Sequence, residues 1–530
     1  MDQAAASSAV PSTVPSGATR ASAAPPAAPP LRERVLEGRF FGERHRDGAE
    51  SLAALVAGPP EEAAARWFGA EAAVALLRAG PEALREALDR DIASLDRLIG
   101  AQLDAVLHHP RLRRLEGSWR GLAWLVRGVP PGARVKLRAL NAAWPELCRD
   151  LERAAEFDQS SLFRQVYENE FGTPGGEPYG LLVVDHEVRH RAAPGAPTDD
   201  VAGLGALAGV AAAAFAPVVL QASPALLHVD DFADLAALTD PAAPLRGPEH
   251  ARWRGLAGQE DMRFVAVVLP RLLARPPWGD DPARADGFRY REYAPDAGCR
   301  VWMGAGYAFA AAAARAFAQY GWPADVRGCE ADRLGGGLVT DVAAEPFETD
   351  RHGSWVRQPL DVVLTDRQER ALVDAGLMPV SALPYGHEAV FGAVRSLQAP
   401  RRYQGPNAEA ANANARLSAQ LNSMLCTARF AHCIKLLGRQ MVGSFRTAEE
   451  IEQRLQEWLT GYVNGNLAGG AEAHARHPLV NGRVSVRERP GRPGVFNCTM
   501  LLQPHFQLDD VSATFRLVTQ IAAPGAQTAA

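Results

Sequence analysis

The chain has 530 residues, of which 47% are hydrophobic and 22% are charged, a composition typical of a globular protein with two or three domains. Its formal net charge of −5 argues against a general attraction to nucleic acid or to anionic membranes. No charged segment followed by an apolar run opens the chain, so no signal peptide is predicted. Six cysteines occur without a CxxC pair, which favours a reducing cytoplasm over a disulfide framework or a zinc knuckle. They are Cys148, Cys299, Cys329, Cys426, Cys433 and Cys498.

The N-terminal 90 residues divide into a tail and a helical arm region. Residues 1–30 are rich in Ala, Ser and Pro and hardly charged, which predicts a disordered tail. Residues 31–46 predict a short amphipathic helix followed by the apolar pair Phe40 and Phe41. This segment is either an arm that docks on a partner or a helix folded back on its own domain. Helically spaced apolar residues between Gly-Pro breaks predict short helices over residues 50–94.

Residues 98–126 predict two helices separated by a tight bend. The first helix should end at Pro110, because the residue before a proline is pushed out of the α region. His108 and His109 are then helix-end residues. Large rings and small residues alternate in the second helix, which predicts rings packed where backbones come close and makes this stretch a packing and assembly element. These residues are Gly117, Trp119, Gly121 and Trp124.

Residues 91–397 predict a central domain in which helices and strands alternate. Strands are predicted at residues 133–140, 181–184, 217–221 and 262–269. Helices are predicted at residues 142–156, 161–171, 201–214 and 302–320. Glycine-rich, strand-like sequence covers residues 325–365. The expected fold class is therefore mixed α/β (α+β), with a helical N-terminal region and a central mixed sheet flanked by helices.

A linker at residues 398–416 is predicted to lead into a C-terminal domain at residues 417–520, followed by a tail at residues 521–530. The domain should begin with a long helix, and Thr447 and Glu450 form a capping box that starts a second one. Three alternating runs then predict an antiparallel meander with one solvated or partner-covered face. These runs are residues 483–488, 495–502 and 511–519.

His186, Glu187 and His190 match the HExxH motif letter for letter. Zincin chemistry needs the two histidines one helical turn apart, so that both reach one metal. Here the motif follows the strand-like run 180–184, and residues four apart in a strand are separated by roughly 13 Å. We interpret the motif as a strand end with solvated polar residues. A zinc-dependent hydrolase using these three residues is the competing hypothesis.

Other motifs also favour ordinary packing. Residues 201–229 carry no charge, but they are rich in Ala and Gly and broken by two prolines, which favours a buried helix and strand over a membrane span. Two GxG pairs, at residues 203–205 and 304–306, do not complete a dinucleotide fingerprint. Neither a P-loop nor a GxSxG elbow occurs. The sequence therefore assigns no catalytic, cofactor-binding or metal-binding residue.

Several runs in chain order closely resemble the large sheath subunit of the bacterial type VI secretion system, the TssC (VipB, EvpB) family. They begin in the two-helix stretch and extend to about residue 520. The matching residues are Leu107–Pro110, Leu115–Leu122, Tyr167–Gly172, Gly175–Gly180, Ala222–Leu226, Leu269–Arg275, Tyr320–Trp322, Arg327–Gly328, Asn414–Ala419, Ser444–Phe445 and Pro504–Leu508.

The resemblance implies a cytoplasmic structural subunit that is not an enzyme and needs no cofactor. The family's large subunit pairs with a small sheath subunit, and the heterodimers polymerise helically around an inner tube, docked on a baseplate at the inner membrane. Contraction drives the tube outward, and an AAA+ unfoldase disassembles the sheath. Neither nucleic acid nor direct membrane insertion is expected.

Two departures from the family pattern stand out. The family usually has a glycine and an aromatic residue where this chain has Val184 and His186, and this substitution creates the HExxH string. The first 90 residues match the commonest members poorly. The alternative in the same class is therefore a second, divergent large subunit that modifies or caps the sheath.

Overall fold

The computed structural model describes residues 29–37, 45–173, 175–330, 333–349, 353–384, 386–405, 408–441, 447–466, 469–491, 494–505 and 515–521. The chain forms two compact units. The first comprises Met1–Leu103 and Asp280–Tyr290, and the second comprises Asp104–Gly279 and Arg291–Ala530. The predicted tails lie almost entirely outside the described residues, as does the Phe40-Phe41 pair.

The helices follow the chain in sixteen α-helical segments within the described residues. They are α1 Leu31–Leu36, α2 His45–Ala57, α3 Pro60–Phe68, α4 Ala70–Ala79, α5 Pro81–Leu107, α6 Pro110–Gly128, α7 Trp144–Arg153, α8 Ser161–Phe163, α9 Asp200–Ala214, α10 Ala251–Ala257, α11 Ala305–Tyr320, α12 Asp366–Asp374, α13 Ala408–Ser418, α14 Leu421–Met441, α15 Ala448–Thr460 and α16 Ala471–Arg476. A π-helix at Arg164–Gly172 continues α8.

The strands number fourteen among the described residues, and most are short. They are β1 Leu182–Val188, β2 Val218–Ala222, β3 Val265–Leu269, β4 Leu272–Arg275, β5 Val301–Met303, β6 Leu338–Val339, β7 Glu345–Thr349, β8 Gly353–Arg357, β9 Met378–Pro379, β10 Ser381–Ala382, β11 Ala389–Val390, β12 Leu479–Glu488, β13 Phe496–Pro504 and β14 Phe515–Ile521.

The first unit is helical, and its N-terminal helix folds back on it. Asp91 of α5 is buried and accepts hydrogen bonds from Arg32 Nε of α1 at 2.7 Å and from Trp67 Nε1 of α3 at 2.9 Å. One carboxylate therefore holds three helices. Of the two interpretations of residues 31–46, the structure supports the helix that packs on its own unit, for the described part of that segment.

The core of the second unit is a four-stranded parallel sheet in the order β1-β2-β3-β9. Every residue of β2 and β3 is buried. Val218 and Leu220 pack in one apolar cluster with α9, while Val219 between them packs in a second cluster with α11. Both faces of the sheet are thus covered by helices, as parallel sheets require. The predicted mixed α/β class is confirmed.

The strand predicted at residues 133–140 is wrong. The segment joins no sheet, and its alternating basic residues form ion pairs instead. Lys136 Nζ lies 2.6 Å from Glu177 Oε1, and Arg138 pairs with Glu170. The alternation of basic and apolar residues in this segment reflects charge pairing along an extended chain. Such a chain has the same two-residue period as a β-strand.

The two-helix bend and the C-terminal elements agree with the sequence. His109 caps α6 by accepting from the Arg111 N–H at 3.3 Å. The capping box of α15 forms between Thr447 and Glu450. Strands β12, β13 and β14 form the predicted antiparallel meander, although residues 506–514 lie outside the described part. Helix α13 occupies the second half of the segment predicted as a linker. Among the described residues, no helix is long and apolar enough to cross a membrane.

Candidate functional site

Helix α6 packs through two glycines on one face. A Cβ atom on Gly117 would lie 2.1 Å from the carbonyl oxygen of Trp302 in β5, and one on Gly121 would lie 2.6 Å from the ring of Tyr307 in α11. Because no larger residue fits at either position, these glycines set how closely α6 approaches β5 and α11. The predicted close backbone approach is confirmed.

The opposite face of α6 is apolar and exposed. Leu115, Trp119 and Val126 are 55%, 65% and 53% exposed, and their spacing places them on one side of the helix. The prediction of rings packed where backbones come close is therefore wrong for Trp119 within the described residues, whereas the prediction of an assembly element stays a prediction. Trp124 is half-buried and donates from Nε1 to the Asp341 carbonyl at 2.7 Å. Leu115, Trp119 and Val126 form an exposed apolar stripe along α6.

A buried ion-pair network anchors the start of α6. Glu116 accepts from Arg275 Nε at 2.6 Å and from Arg120 Nε at 2.7 Å, and Arg275 also donates to Glu292 at 2.6 Å. Burial raises the pKa of Glu116, but the hydrogen bonds from Arg275 and Arg120 outweigh it and lower that pKa below its usual value. His108 Nε2 lies 3.2 Å from Glu292, so His108 is a packed helix-end residue.

Side chains of α15 cover the free edge of β12. The Val484 N–H donates to Gln456 Oε1 at 2.8 Å, and Gln456 Nε2 donates to the Gly482 carbonyl at 3.0 Å. The Val486 N–H donates to Glu452 Oε2 at 2.8 Å. Alternate residues of a strand point their backbone groups to the same edge. The Gly482 carbonyl and the N–H groups of Val484 and Val486 therefore lie on the edge of β12 that does not pair with β13. That edge is blocked against another strand.

The other edge of the same sheet belongs to β14. Within the described part of the chain, β14 pairs with β13 only, over the register from Phe496 opposite Ile521 to Leu502 opposite Phe515. An uncovered edge strand offers a row of backbone donors and acceptors to another chain. Among the described strands, this sheet ends at β14.

The HExxH residues contact different partners. His186 and Glu187 lie in β1, which confirms the strand part of the interpretation. The expectation of solvated polar residues is wrong for His190, which is buried. His186 Nε2 lies 3.2 Å from Asp200 Oδ2, and its ring stacks on Trp144 at 4.7 Å. Glu187 Oε1 lies 3.7 Å from a guanidinium nitrogen of Arg271. The helical geometry of a zincin is absent from this described segment.

His190 instead belongs to a cluster with His228 and His250, which the sequence analysis did not single out. One ring nitrogen from each lies within 4.8 Å of the other two. Burial, together with the neighbouring imidazoles, lowers the pKa of His190 to about 4, so its ring is neutral at pH 7. The three residues are 38 and 22 positions apart, a spacing that matches no short motif. Only the positions of His190 and His228 shortly after predicted strands could have suggested the grouping.

Two family models match successive parts of the chain. The family model of the EvpB/VC_A0108 tail sheath N-terminal domain matches residues 89–398, and that of the EvpB/VC_A0108 tail sheath gpW/gp25-like domain matches residues 410–521. The chain is thus a tail sheath protein.

More particularly, the chain belongs to the EvpB/VC_A0108 family of type VI secretion sheath proteins. It is 35% identical over 441 residues to the type VI secretion system sheath protein TssC1 of Pseudomonas aeruginosa, covering 82% of this chain and 86% of that protein. The resemblance seen in the sequence is confirmed. The domain boundaries at residues 30, 90, 397 and 416 remain predictions.

Proposed function

We propose that this chain pairs with a small sheath subunit and polymerises with copies of itself into a helical tubule around an inner tube. Contraction of the tubule drives delivery of effectors. The match of two sheath-domain families across residues 89–521 carries this proposal. The sheath docks in the bacterial cytoplasm through a baseplate at the inner membrane, and an AAA+ unfoldase disassembles it.

Two surfaces of the second unit support assembly. The stripe of Leu115, Trp119 and Val126 is apolar and exposed, and the β14 edge has no strand beyond it among the described residues. A contact is heterologous when a surface of one subunit binds a different surface of the next subunit. The apolar stripe and the β14 edge differ from each other, so either can take part in such a contact. Heterologous contacts that do not close generate helical filaments.

The proposed role is structural and not enzymatic. His186 and Glu187 are engaged by Asp200 and Arg271, whereas His190 faces two other histidines. The three residues of the hydrolase hypothesis therefore do not converge on one reacting centre, and a general base with a metal-bound water needs such convergence.

The decisive experiment is co-expression of the full chain with its small-subunit partner, followed by negative-stain microscopy. We expect long tubules with a cogwheel cross-section. Persistent soluble monomer, with no complex on size-exclusion chromatography, would contradict the proposal.

A substitution on α6 tests whether the apolar stripe is an assembly surface. Trp119→Ala removes the most exposed large ring of the stripe, so we expect it to fold with an unchanged melting temperature and to reduce tubule number at least tenfold. Arg127→Ala, an exposed change on the same helix, serves as the matched control and should assemble normally. Normal tubules from Trp119→Ala would exclude the stripe as a contact.

A further inference from the structure

We propose that His190, His228 and His250, with the carboxylate of Glu249, form a binding site for one divalent transition-metal ion of the zinc type. Imidazole nitrogens and a carboxylate oxygen are the ligands that Zn²⁺ takes in tetrahedral sites.

The strongest observation is the state of His190. Its side chain is 4% exposed, and neither of its ring nitrogens has a hydrogen-bond partner among the described residues. A buried polar atom without a partner is costly and needs an explanation. A metal ion held by one of these nitrogens explains it.

The hydrogen bonding of His250 prepares it to act as a ligand. His250 is fully buried, and its Nε2 lies 2.9 Å from the Leu226 carbonyl oxygen. Because a carbonyl oxygen only accepts, Nε2 must carry the proton, and the lone pair of the neutral ring is on Nδ1. Nδ1 has no partner within the described part of the chain. An imidazole whose other N–H is fixed by a backbone carbonyl is the usual arrangement of a metal-ligating histidine.

Distances and charge complete the site. Glu249 Oε2 lies 3.5 Å from His228 Nε2 and 3.9 Å from His190 Nε2, and it also pairs with the Arg191 guanidinium at 3.3 Å. A carboxylate that would have to leave Arg191 for the ion thus stands beside the imidazoles. Tetrahedral zinc with bonds of about 2.0–2.1 Å needs ligand atoms about 3.4 Å apart. The distances between the histidine nitrogens, 4.8 Å or less, must therefore shorten by up to about 1.4 Å when the ion binds. His228, whose side chain is 39% exposed, has the freedom to make that movement.

The location gives the ion a structural role. His190 follows β1 by two residues, His228 ends the 3₁₀ turn after β2, and His250 ends the turn before α10. All three segments meet near the carboxyl edge of the parallel strands, where ligands commonly bind in open α/β sheets. One ion would clamp three loops that the chain brings together from distant positions.

Metal binding by purified full-length chain tests the proposal. The protein is stripped with a chelator and titrated with Zn²⁺ alone against a chromophoric competitor, and bound metal is counted after desalting. We expect one Zn²⁺ per chain. His228→Asn is the test variant, since His228 has φ +57° and asparagine tolerates that left-handed conformation. It should weaken binding at least about tenfold, a loss of about 1.4 kcal/mol.

His387→Asn, a change at an exposed histidine outside the cluster, is the matched control and should bind Zn²⁺ like the unmodified chain. His186→Asn should also keep stoichiometric zinc, because His186 contacts Asp200 and Trp144. Co²⁺ substitution supplies a second readout, with visible absorption typical of tetrahedral cobalt that disappears in His228→Asn. Less than stoichiometric zinc in the unmodified chain, or equal affinity in His228→Asn, would overturn the site.

Discussion

Gly117 is a position where α6 lies directly against the backbone of β5. Its missing side chain lets α6 lie against the Trp302 carbonyl, and the atom that a Cβ would meet is backbone, which cannot rotate away. We expect Gly117→Ala to destabilise the chain by about 1–3 kcal/mol, because overpacking forces backbone shifts. The measurement is the urea midpoint of the full chain.

Gly128 provides the control on the same helix. A Cβ there meets nothing within 4 Å, so Gly128→Ala should leave the midpoint unchanged or raise it slightly. Equal effects of the two substitutions would show that helix propensity, and not the contact with β5, decides the outcome.

His432 is a buried histidine that should make stability depend on pH. Its Nε2 lies 3.0 Å from the Ala214 carbonyl, and burial lowers its pKa from 6.5 to about 4. Because the folded pKa lies below the unfolded value, only the unfolded chain takes up the proton as pH falls through this window. The stability is therefore fully present above pH 6.5 and is lost progressively down to about pH 4, by about 1.4 kcal/mol per pH unit.

The check compares the unmodified chain with His432→Gln, which keeps a donor for the Ala214 carbonyl and cannot be protonated. Urea midpoints at pH 7.5 and 5 should fall further for the unmodified chain than for the variant. If the urea midpoints of the unmodified chain and of His432→Gln fall by the same amount, the pH dependence of stability comes from other groups.

Single residues of the chain differ in how well the sequence predicts their surroundings. The glycines of α6 could be identified because two of them flank a tryptophan within five residues, and small residues at such spacing indicate close packing. The exposure of Trp119 could not be predicted from the sequence, since a tryptophan ring can pack in the core of its own chain or against the surface of a neighbouring chain. The cluster of His190, His228 and His250 was missed because it forms only when three distant loops meet.

At the scale of elements, the covered edge of β12 depends mainly on one side chain. Gln456 satisfies both the Val484 N–H and the Gly482 carbonyl. Gln456→Ala should lower the free energy of unfolding by about 1–3 kcal/mol, because two partly buried backbone groups lose their partners. It should also increase aggregation on heating, since an open strand edge is exposed.

Gln453→Ala is the matched control one turn earlier on α15. Gln453 is exposed and donates to Glu457, so its loss should change stability by less than about 0.5 kcal/mol. Differential scanning fluorimetry and light scattering of both variants give the comparison. If Gln453→Ala is as harmful as Gln456→Ala, the edge contact is not the cause.

Elements were predicted best where two signals agreed. For α15, the capping box and the helically spaced apolar residues both mark the same start, and the structure confirms them. For residues 133–140, alternation was the only signal, and it arises from Lys136 and Arg138 pairing with two glutamates. Alternation with a period of two residues indicates only that the chain is extended. Whether a neighbouring strand lies beside that segment depends on the tertiary fold.

At the scale of the whole molecule, the described part of the meander has side chains of α15 along β12 and no further strand beyond β14. Because side chains of α15 occupy the edge of β12, we expect a strand supplied by another subunit to add beside β14. Such an addition would continue backbone pairing in one direction only, which suits a heterologous contact between successive subunits.

Two adjacent proline substitutions in β14 test this direction. Neighbouring residues of a strand point their N–H groups to opposite edges of that strand. The two substitutions are Leu517→Pro and Val518→Pro. One of them removes an N–H that donates to β13, and the other removes an N–H on the outer edge of β14. The first should melt at a lower temperature. The second should melt like the unmodified chain, because proline is tolerated on the outward side of edge strands, yet it should fail to form tubules with the small subunit. Normal tubules from the thermally intact variant would place strand addition elsewhere on the sheath protein.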